Sequence, residues 1–123
     1  FIDIFLPEKK LKKQIMSIIT DSISVDDPKN PDNCIVFKLY EIIADKSDVL
    51  DLEKKYRNGG YGYGHAKKDL FEVILEKYKS QRELYSHYIN NNSLIEQRLM
   101  KGAEKANEIA TTVLDRVRKN IGY

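Results

Sequence analysis

The sequence predicts an all-α protein, a bundle of about five helices that ends in a long antiparallel C-terminal helical hairpin. Two observations predict this fold class. Apolar residues recur at three- and four-residue intervals through most of the 123 residues, and clusters of Gly, Pro, Asn and Asp separate these periodic stretches. The one alternating stretch, residues 1–6, is too short to be a strand on its own. We therefore expect residues 1–123 to form a single helical domain.

The first predicted helix runs from Glu8 to Thr20, because Pro7 suits a first helical turn and an apolar stripe follows it. The stripe consists of Leu11, Ile15, Ile18 and Ile19. Four lysines crowd the start of this helix and oppose its macrodipole, namely Lys9, Lys10, Lys12 and Lys13. Two interpretations of these lysines stay open, an external anion that they bind or a solvated face.

Turn-forming residues are dense from Asp21 to Asn33, which predicts a surface loop whose Asp32 or Asn33 caps the next helix. Residues 34–44 are nearly all apolar, with a stripe at Val36, Leu39, Tyr40 and Ile43. A buried strand is the alternative for this stretch, but its length favours a helix. We expect that helix to be central.

A third helix is predicted to begin with Ser47 or Asp48 as its cap and to run through Tyr56. Asn58 and Gly59 then end it as a left-handed C-terminal cap. We expect its apolar side chains to face inward, namely Val49, Leu50, Leu52 and Tyr56.

A long helical stripe follows the next turn and continues to Asn90, where three consecutive asparagines stop it. Ser93 and Glu96 have the spacing of a capping box and predict the start of the last helix there. That helix carries a seam of small and apolar residues, namely Ile95, Leu99, Ala103, Ala106, Ala110, Val113 and Val117, with Gly102 beside it. Small residues permit close helix approach, so we expect the two long helices to form the antiparallel hairpin.

Composition excludes several classes of function. The net charge is +2, from 21 Lys+Arg and 19 Asp+Glu, which argues neither for a strongly basic nucleic-acid binder nor against a local basic patch. A single cysteine, Cys34, cannot form an intrachain disulfide and fits a reducing, cytoplasmic setting. Two histidines without a second cysteine give no zinc pattern, and no apolar stretch approaches the roughly 20 residues of a membrane helix. Because the chain begins at Phe1 rather than Met, we expect it to come from a longer protein.

Four of the six glycines lie between Gly59 and Gly64, just before the long helix. A turn of this kind at a helix start suits an anion such as a phosphate. The candidate RNA-binding residues are Tyr61, Tyr63, Gly64, His65, Lys67 and Lys68 in the turn, and Arg98, Lys101 and Lys105 on the last helix. In this interpretation the tyrosines stack on unpaired bases, while the amides and cations take phosphate oxygens. In the alternative both tyrosines pack inward and the glycines only permit the bend.

Other chemistry is harder to place in this sequence. The glycine turn follows a helix rather than a strand and lacks the spacing of a Walker loop or a Rossmann turn. The two histidines have no serine or cysteine partner at a recognisable spacing. We therefore predict no catalytic residue and no metal site.

The stretch from Tyr56 to Glu76, Y-R-N-G-G-Y-G-Y-G-H-A-K-K-D-L-F-E-V-I-L-E, resembles the C-terminal region of bacterial tryptophanyl-tRNA synthetases. The resemblance extends backward to K-K-Q-I-M-S-I-I-T-D-S at residues 12–22 and forward to G-A-E-K-A at residues 102–106. The resemblance therefore covers nearly the whole chain, and its segments occur in the same order as in that family.

The resemblance implies a class I synthetase that activates tryptophan with ATP and transfers it to tRNA, with this segment as the helical part that reads the anticodon region. The H-I-G-H and K-M-S-K-S signatures of the family are absent, so the resemblance implies no cofactor here; ATP and Mg²⁺ are expected in the parent enzyme. It implies the tRNA(Trp) anticodon stem-loop and the enzyme's own catalytic domain as partners, a homodimeric parent and a monomeric segment. Two alternatives stay open, a helical domain that mainly braces the catalytic domain and the equivalent region of a tyrosyl-type synthetase.

Overall fold

A computed structural model describes residues 2–123; Phe1, the first residue of the alternating stretch, lies outside the described residues. The described chain is 73% helical and contains no strand, which confirms the predicted all-α class. Its helices are α1 (Glu8–Met16), α2 (Ile35–Ile43), α3 (Lys46–Asn58), α4 (Tyr63–Lys77), α5 (Lys79–Ile89) and α6 (Asn92–Asn120), with a single 3-10 turn at Pro31–Asn33 before α2.

Helix α1 ends at Met16 and not at Thr20 as predicted. The Ser17 N–H still donates to the Lys13 carbonyl at 3.1 Å, but the chain then leaves the helix. The ammonium of Lys67 donates to the Met16 carbonyl at 3.2 Å, and so satisfies one of the carbonyls that a helix end leaves open. Ile19, predicted to lie on the buried stripe, is 86% exposed because it follows this end.

Two predicted helix starts are wrong by two or three residues. Helix α3 begins at Lys46 after Asp45, so Ser47 and Asp48 lie inside it. Helix α6 begins at Asn92 after Asn91, so the capping box at Ser93 does not form the start. The Asn91 side chain donates to the His87 carbonyl at 2.7 Å and thus stabilises the end of α5.

The long helix predicted to reach Asn90 is divided at Tyr78. This residue has ψ of 17°, far from the value of about −42° in a regular helix. Hydrogen bonds continue across the division, since the Tyr78 N–H donates to Ile74 and the Arg82 N–H donates to Tyr78. The predicted helix is therefore two helices, α4 and α5, that follow each other closely.

One buried core joins the first four helices. The buried apolar residues are Leu11 and Ile15 of α1, Cys34 before α2, Val36, Phe37 and Tyr40 of α2, Leu52 and Tyr56 of α3, and Ala66, Leu70 and Ile74 of α4. Helix α2 lies against both α3 and α4, which confirms its predicted central place. Of the predicted inward residues of α3, Leu50 is instead 55% exposed.

The chain divides into two compact units, one up to Glu83 and one from Leu84 to Tyr123. The glycine turn therefore lies inside the first unit. Helix α6, in the second unit, has no buried residue. Its predicted seam is open over most of its length, with Leu99 67% and Val113 42% exposed.

Candidate nucleic-acid interface

The glycine turn is a positive-φ bend between α3 and α4. Gly59 and Gly60 have φ of 75° and 74°, which side chains with a β-carbon rarely adopt. Gly59 ends α3, as predicted, and Gly62 is the residue before the first turn of α4. The turn thus joins α3 to α4 through four residues and sets the position of Tyr61 and Tyr63.

The turn packs against the loop that precedes α2. A β-carbon at Gly59 would overlap the carbonyl oxygen of Asp26, and one at Gly62 would lie 3.3 Å from a methyl group of Val25. Two of the glycines therefore permit close approach to another backbone segment, in addition to the bend itself. This contact fixes the turn in place.

Lys29, which the sequence analysis missed, holds this loop together. Its side chain is 3% exposed, and its ammonium donates to the carbonyls of Ser24, Val25 and Asp27 at 2.8, 3.1 and 3.0 Å. The ammonium also lies 5.5 Å from the centroid of the Tyr63 ring. A buried lysine that bonds only to carbonyls has no sequence signature, because its partners are backbone atoms of a folded loop.

The two tyrosines of the turn belong to an aromatic cluster around Tyr56. The Tyr56 ring centroid lies 6.4 Å from that of Tyr61, 6.0 Å from that of Tyr63 and 5.6 Å from that of Phe37. Burial raises the pKa of all three tyrosine hydroxyls; the Asp69 carboxylate adds to this at Tyr61 and the Asp21 carboxylate at Tyr63. Tyr61 and Tyr63 are half-buried, so each packs one part of its ring inward.

Tyr61 has further partners that fix its ring. Its hydroxyl donates to the Asp69 carboxylate, the Lys55 ammonium lies 5.1 Å from its ring centroid, and the His65 ring lies 5.6 Å away. The ring is therefore held between α3 and the first turns of α4. Nucleobases stack on aromatic ring faces that are open to them. Here the Lys55 ammonium already lies over the face of the Tyr61 ring.

The start of α4 is less open than the sequence predicted. The His65 N–H donates to the Gly62 carbonyl at 3.0 Å, so this amide already has a partner. Lys67 bonds to the end of α1, and Lys68 lies 3.8 Å from the Glu72 carboxylate in an exposed ion pair. Lys68 and Gly64 remain exposed at the surface of this region.

The candidates on α6 line a groove in the second unit. This groove has a volume of about 860 Å³, the size of many ligand clefts. Its lining residues are His87 and Tyr88 of α5 and Leu94, Gln97, Arg98, Lys101, Gly102, Glu104, Lys105 and Glu108 of α6. The Arg98 guanidinium lies 5.9 Å from the Tyr88 ring centroid. The structure thus brings Arg98, Lys101 and Lys105 together with an aromatic ring that the sequence analysis had not included.

The described part of the chain shows neither a candidate metal cluster nor a candidate membrane span. Residues 2–123 contain no group of three or more His, Cys, Asp or Glu side chains that could hold a metal ion. None of the helices described above is long and apolar enough to cross a membrane.

Comparisons with known proteins give one consistent result. No family model matches the chain. The chain is 41% identical over 121 residues to the tryptophan–tRNA ligase of Campylobacter jejuni strain RM1221, which covers 98% of this chain and 38% of that relative. It is 38% identical to the tryptophan–tRNA ligase of Rhodopirellula baltica over 98% of this chain and 38% of the relative.

A solved structure agrees with these relatives. The crystal structure of tryptophanyl-tRNA synthetase from Campylobacter jejuni, complexed with ADP and tryptophan, matches 99% of this chain with a TM-score of 0.92 and 41% identity. The match covers 38% of that chain. This chain therefore spans well under half the length of the relatives it matches, and corresponds to their C-terminal part.

Proposed function

We propose, from the premise that this chain is homologous to the C-terminal part of the bacterial tryptophan–tRNA ligases, that it is the RNA-reading helical segment of such an enzyme. In this proposal a longer protein carries out the ATP-dependent attachment of tryptophan to tRNA. The segment contributes recognition of the anticodon region of tRNA(Trp). The observation that carries the proposal is 41% identity to a tryptophan–tRNA ligase over 98% of the chain.

The groove of the second unit supports an RNA contact. Sequence-specific RNA recognition mostly uses unpaired bases, which stack on aromatic or arginine planes while cations take the phosphates. Arg98 offers such a plane with the Tyr88 ring on its other side, and Lys101 and Lys105 lie along the same groove. We propose these four residues as the main contacts.

The glycine turn has a supporting role in this proposal. Lys68 and the exposed Gly64 form a candidate phosphate contact, while Tyr61 and Tyr63 hold the start of α4 in position through the aromatic cluster. We propose that their rings act through packing rather than by stacking on bases. His65 and Lys67 would contribute only after they exchange the partners described above.

Binding of an anticodon stem-loop of tRNA(Trp) to the 123-residue chain tests the proposal. We expect affinity to fall with salt, and the double variant Lys101→Gln with Lys105→Gln to reduce the salt slope by about 1.4, at about 0.7 per phosphate contact on a single strand. The matched control is Lys46→Gln with Lys54→Gln, which removes the same charge from the exposed face of α3. A stem-loop with a changed anticodon should bind more weakly than the tRNA(Trp) loop.

Two outcomes would contradict the proposal. The first is affinity that is equal for both stem-loops, since contacts with phosphates alone do not read sequence. The second is an equal effect of the α6 variant and its α3 control. We also propose that ATP and Mg²⁺ bind outside this segment, so calorimetry with Mg·ATP should give no binding heat with the 123-residue chain.

A second candidate function rests on the exposed apolar side chains of α6. Leu99, Met100 and Ile109 are each 67% exposed, which is unusual for large apolar side chains on one helix. In this candidate, α6 braces the catalytic part of the longer enzyme. The test adds this chain to the remaining N-terminal part of the Campylobacter jejuni ligase and measures tryptophan activation without tRNA. A bracing segment should raise that rate, and Leu99→Gln should remove the gain; an unchanged rate would contradict bracing.

A further inference from the structure

Helix α1 carries a group of exposed positive charges without an ion-pair partner among the described residues. Helix α1 contains four lysines and a single acidic residue, Glu8. Leu11 and Ile15 are fully buried and define the face that packs on the core. At 100° per residue, Lys9, Lys10 and Lys13 lie on the opposite side of the helix, and all three are exposed. We call these three residues the lysine face.

The lysine face is an unfavourable arrangement for the isolated fold. Cations near a helix N-terminus oppose the positive end of the macrodipole, and like charges four residues apart, such as Lys9 and Lys13, repel each other. Both effects lower the stability of α1. No residue of the folded core requires a lysine at these positions, because their side chains point away from it.

No carboxylate among residues 2–123 offsets these charges. The ion pairs of the described chain involve Lys54 with Asp51, Arg57 with Glu53, Lys68 with Glu72 and Lys77 with Asp45. None of them includes a residue of the lysine face.

The neighbouring helix does not supply the missing charge. Helix α4 runs antiparallel to α1, since Lys12 lies 5.9 Å from the Phe71 ring centroid while Lys67 bonds to Met16. Besides apolar packing, the lysine contacts described between the two helices are therefore a cation over a ring and an ammonium on a carbonyl. Two carboxylates of α4, those of Asp69 and Glu72, contact Tyr61 and Lys68 instead.

We propose that the lysine face is a docking surface for the phosphate backbone of RNA, separate from the groove on α6. The proposal rests on the proposed function, because that function makes tRNA the polyanion that the protein binds. Each lysine would take phosphate oxygens without reading bases, and so would position the RNA rather than select it. The bound phosphates would also relieve the repulsion within α1, so binding should stabilise the helix.

This surface predicts opposite effects of one variant on binding and on stability. In the 123-residue chain, Lys9→Gln with Lys10→Gln should raise the melting temperature by about 2–4 °C, because it removes two unfavourable charges from the first turn of α1. The same variant should weaken binding of a full-length tRNA(Trp) transcript by at least about tenfold at 0.1 M salt and reduce the salt slope by about 2. A tRNA of another specificity should lose the same factor.

The control is Lys46→Gln with Lys54→Gln, which lowers the net charge equally on α3. It should leave the salt slope nearly unchanged. If the lysine face is only solvated, the α1 variant and the α3 control will weaken tRNA binding equally, and the proposal is overturned. Binding of anionic phospholipid vesicles that the α1 variant abolishes, with tRNA binding intact, would overturn it in favour of a membrane surface.

The outcome also separates this proposal from the proposed function. If the unsubstituted chain fails to bind any tRNA, the proposed function fails and this proposal fails with it. If the unsubstituted chain discriminates between anticodon loops but is insensitive to the α1 substitutions, only the lysine face is rejected.

Discussion

Gly59 packs against Asp26 so closely that a β-carbon at residue 59 would overlap the Asp26 carbonyl oxygen. The contact joins the end of α3 to the loop before α2, two segments separated by about 30 residues in the chain. It explains why a glycine stands at this point of the turn, where φ is also 75°. The glycine turn is thus a packing junction of the first unit.

Gly59→Ala should destabilise the fold strongly. The substitution meets both a positive φ and a backbone clash, so we expect a loss of about 2–4 kcal/mol in the free energy of unfolding. Gly60→Ala is the control, because Gly60 has nearly the same φ of 74° but no atom near its position for a β-carbon. It should cost only about 1–2 kcal/mol. Urea unfolding followed by circular dichroism measures both, and equal losses would mean that the contact with Asp26 contributes nothing.

Lys29→Met should destabilise the loop before α2. The substitution leaves the carbonyls of Ser24, Val25 and Asp27 without their shared donor inside a buried site. We expect a loss of about 2–4 kcal/mol, since hydrogen bonds to charged groups are stronger than neutral ones. Lys54→Met, on an exposed surface, should change stability by less than about 0.5 kcal/mol. Comparable urea midpoints for the two variants would show that the ammonium does not organise the loop.

Arg82→Ala should release the segment before α1. The Arg82 guanidinium donates to the carbonyls of Ile4 and Leu6, the second at 3.0 Å. Without it, we expect faster hydrogen exchange at the Leu6 amide, which donates to Asp3 within this segment, while the amides of α2 keep their protection. The control is Arg57→Ala, which removes an exposed arginine paired with Glu53. Unchanged exchange at Leu6 would contradict this role.

Stability should fall above pH 10 because of Tyr56. Burial, followed by the hydrogen bond with Cys34, raises the pKa of the Tyr56 hydroxyl above its usual 10.0. Above that pH the unfolded chain loses this proton more readily than the folded chain, so the stabilisation present below pH 10 is lost as pH rises. One such tyrosine contributes about 1.4 kcal/mol per pH unit.

Tyr56→Phe removes this titration and should therefore give a shallower fall in stability between pH 10 and 11.5 than the unsubstituted chain. Urea unfolding at several pH values measures the slope. Tyr123→Phe is the control, because Tyr123 is 93% exposed and should leave the slope unchanged. Equal slopes for the chain and its Tyr56→Phe variant would show that this hydroxyl ionises as easily when folded.

The sequence predicted the structural features that local periodicity determines. It missed those that depend on partners brought near by the fold. The stripe at Val36 and Tyr40 predicted α2 and its central place correctly, because side-chain spacing on one helix decides which face is buried. Lys29 was missed because its partners are carbonyls brought near by the folded loop. The division at Tyr78 and the start of α6 were also missed, since helix ends are set by competing hydrogen bonds such as that from Asn91 to His87.

The candidate site was predicted in part for the same reason. Arg98, Lys101 and Lys105 share a helix face at spacings of three and four residues, so their grouping in one groove follows from the sequence. Tyr88 belongs to another helix, and only the folded chain places it beside Arg98. For the two tyrosines of the glycine turn, the sequence left two interpretations open, stacking on bases and packing inward. Residue spacing alone does not show how their rings lie around Tyr56.

The exposed apolar side chains of α6 give the last prediction, because apolar side chains of α4 are buried in the core. Ile74 of α4 is fully buried, whereas Ile109 of α6 is 67% exposed. Ile74→Ala should therefore cost about 2–5 kcal/mol through lost burial and the cavity left behind, and Ile109→Ala should change stability of the 123-residue chain by less than about 0.5 kcal/mol. Urea unfolding measures both. A large loss for Ile109→Ala would mean that α6 already buries its apolar face within this chain, and the bracing candidate would then lose its support.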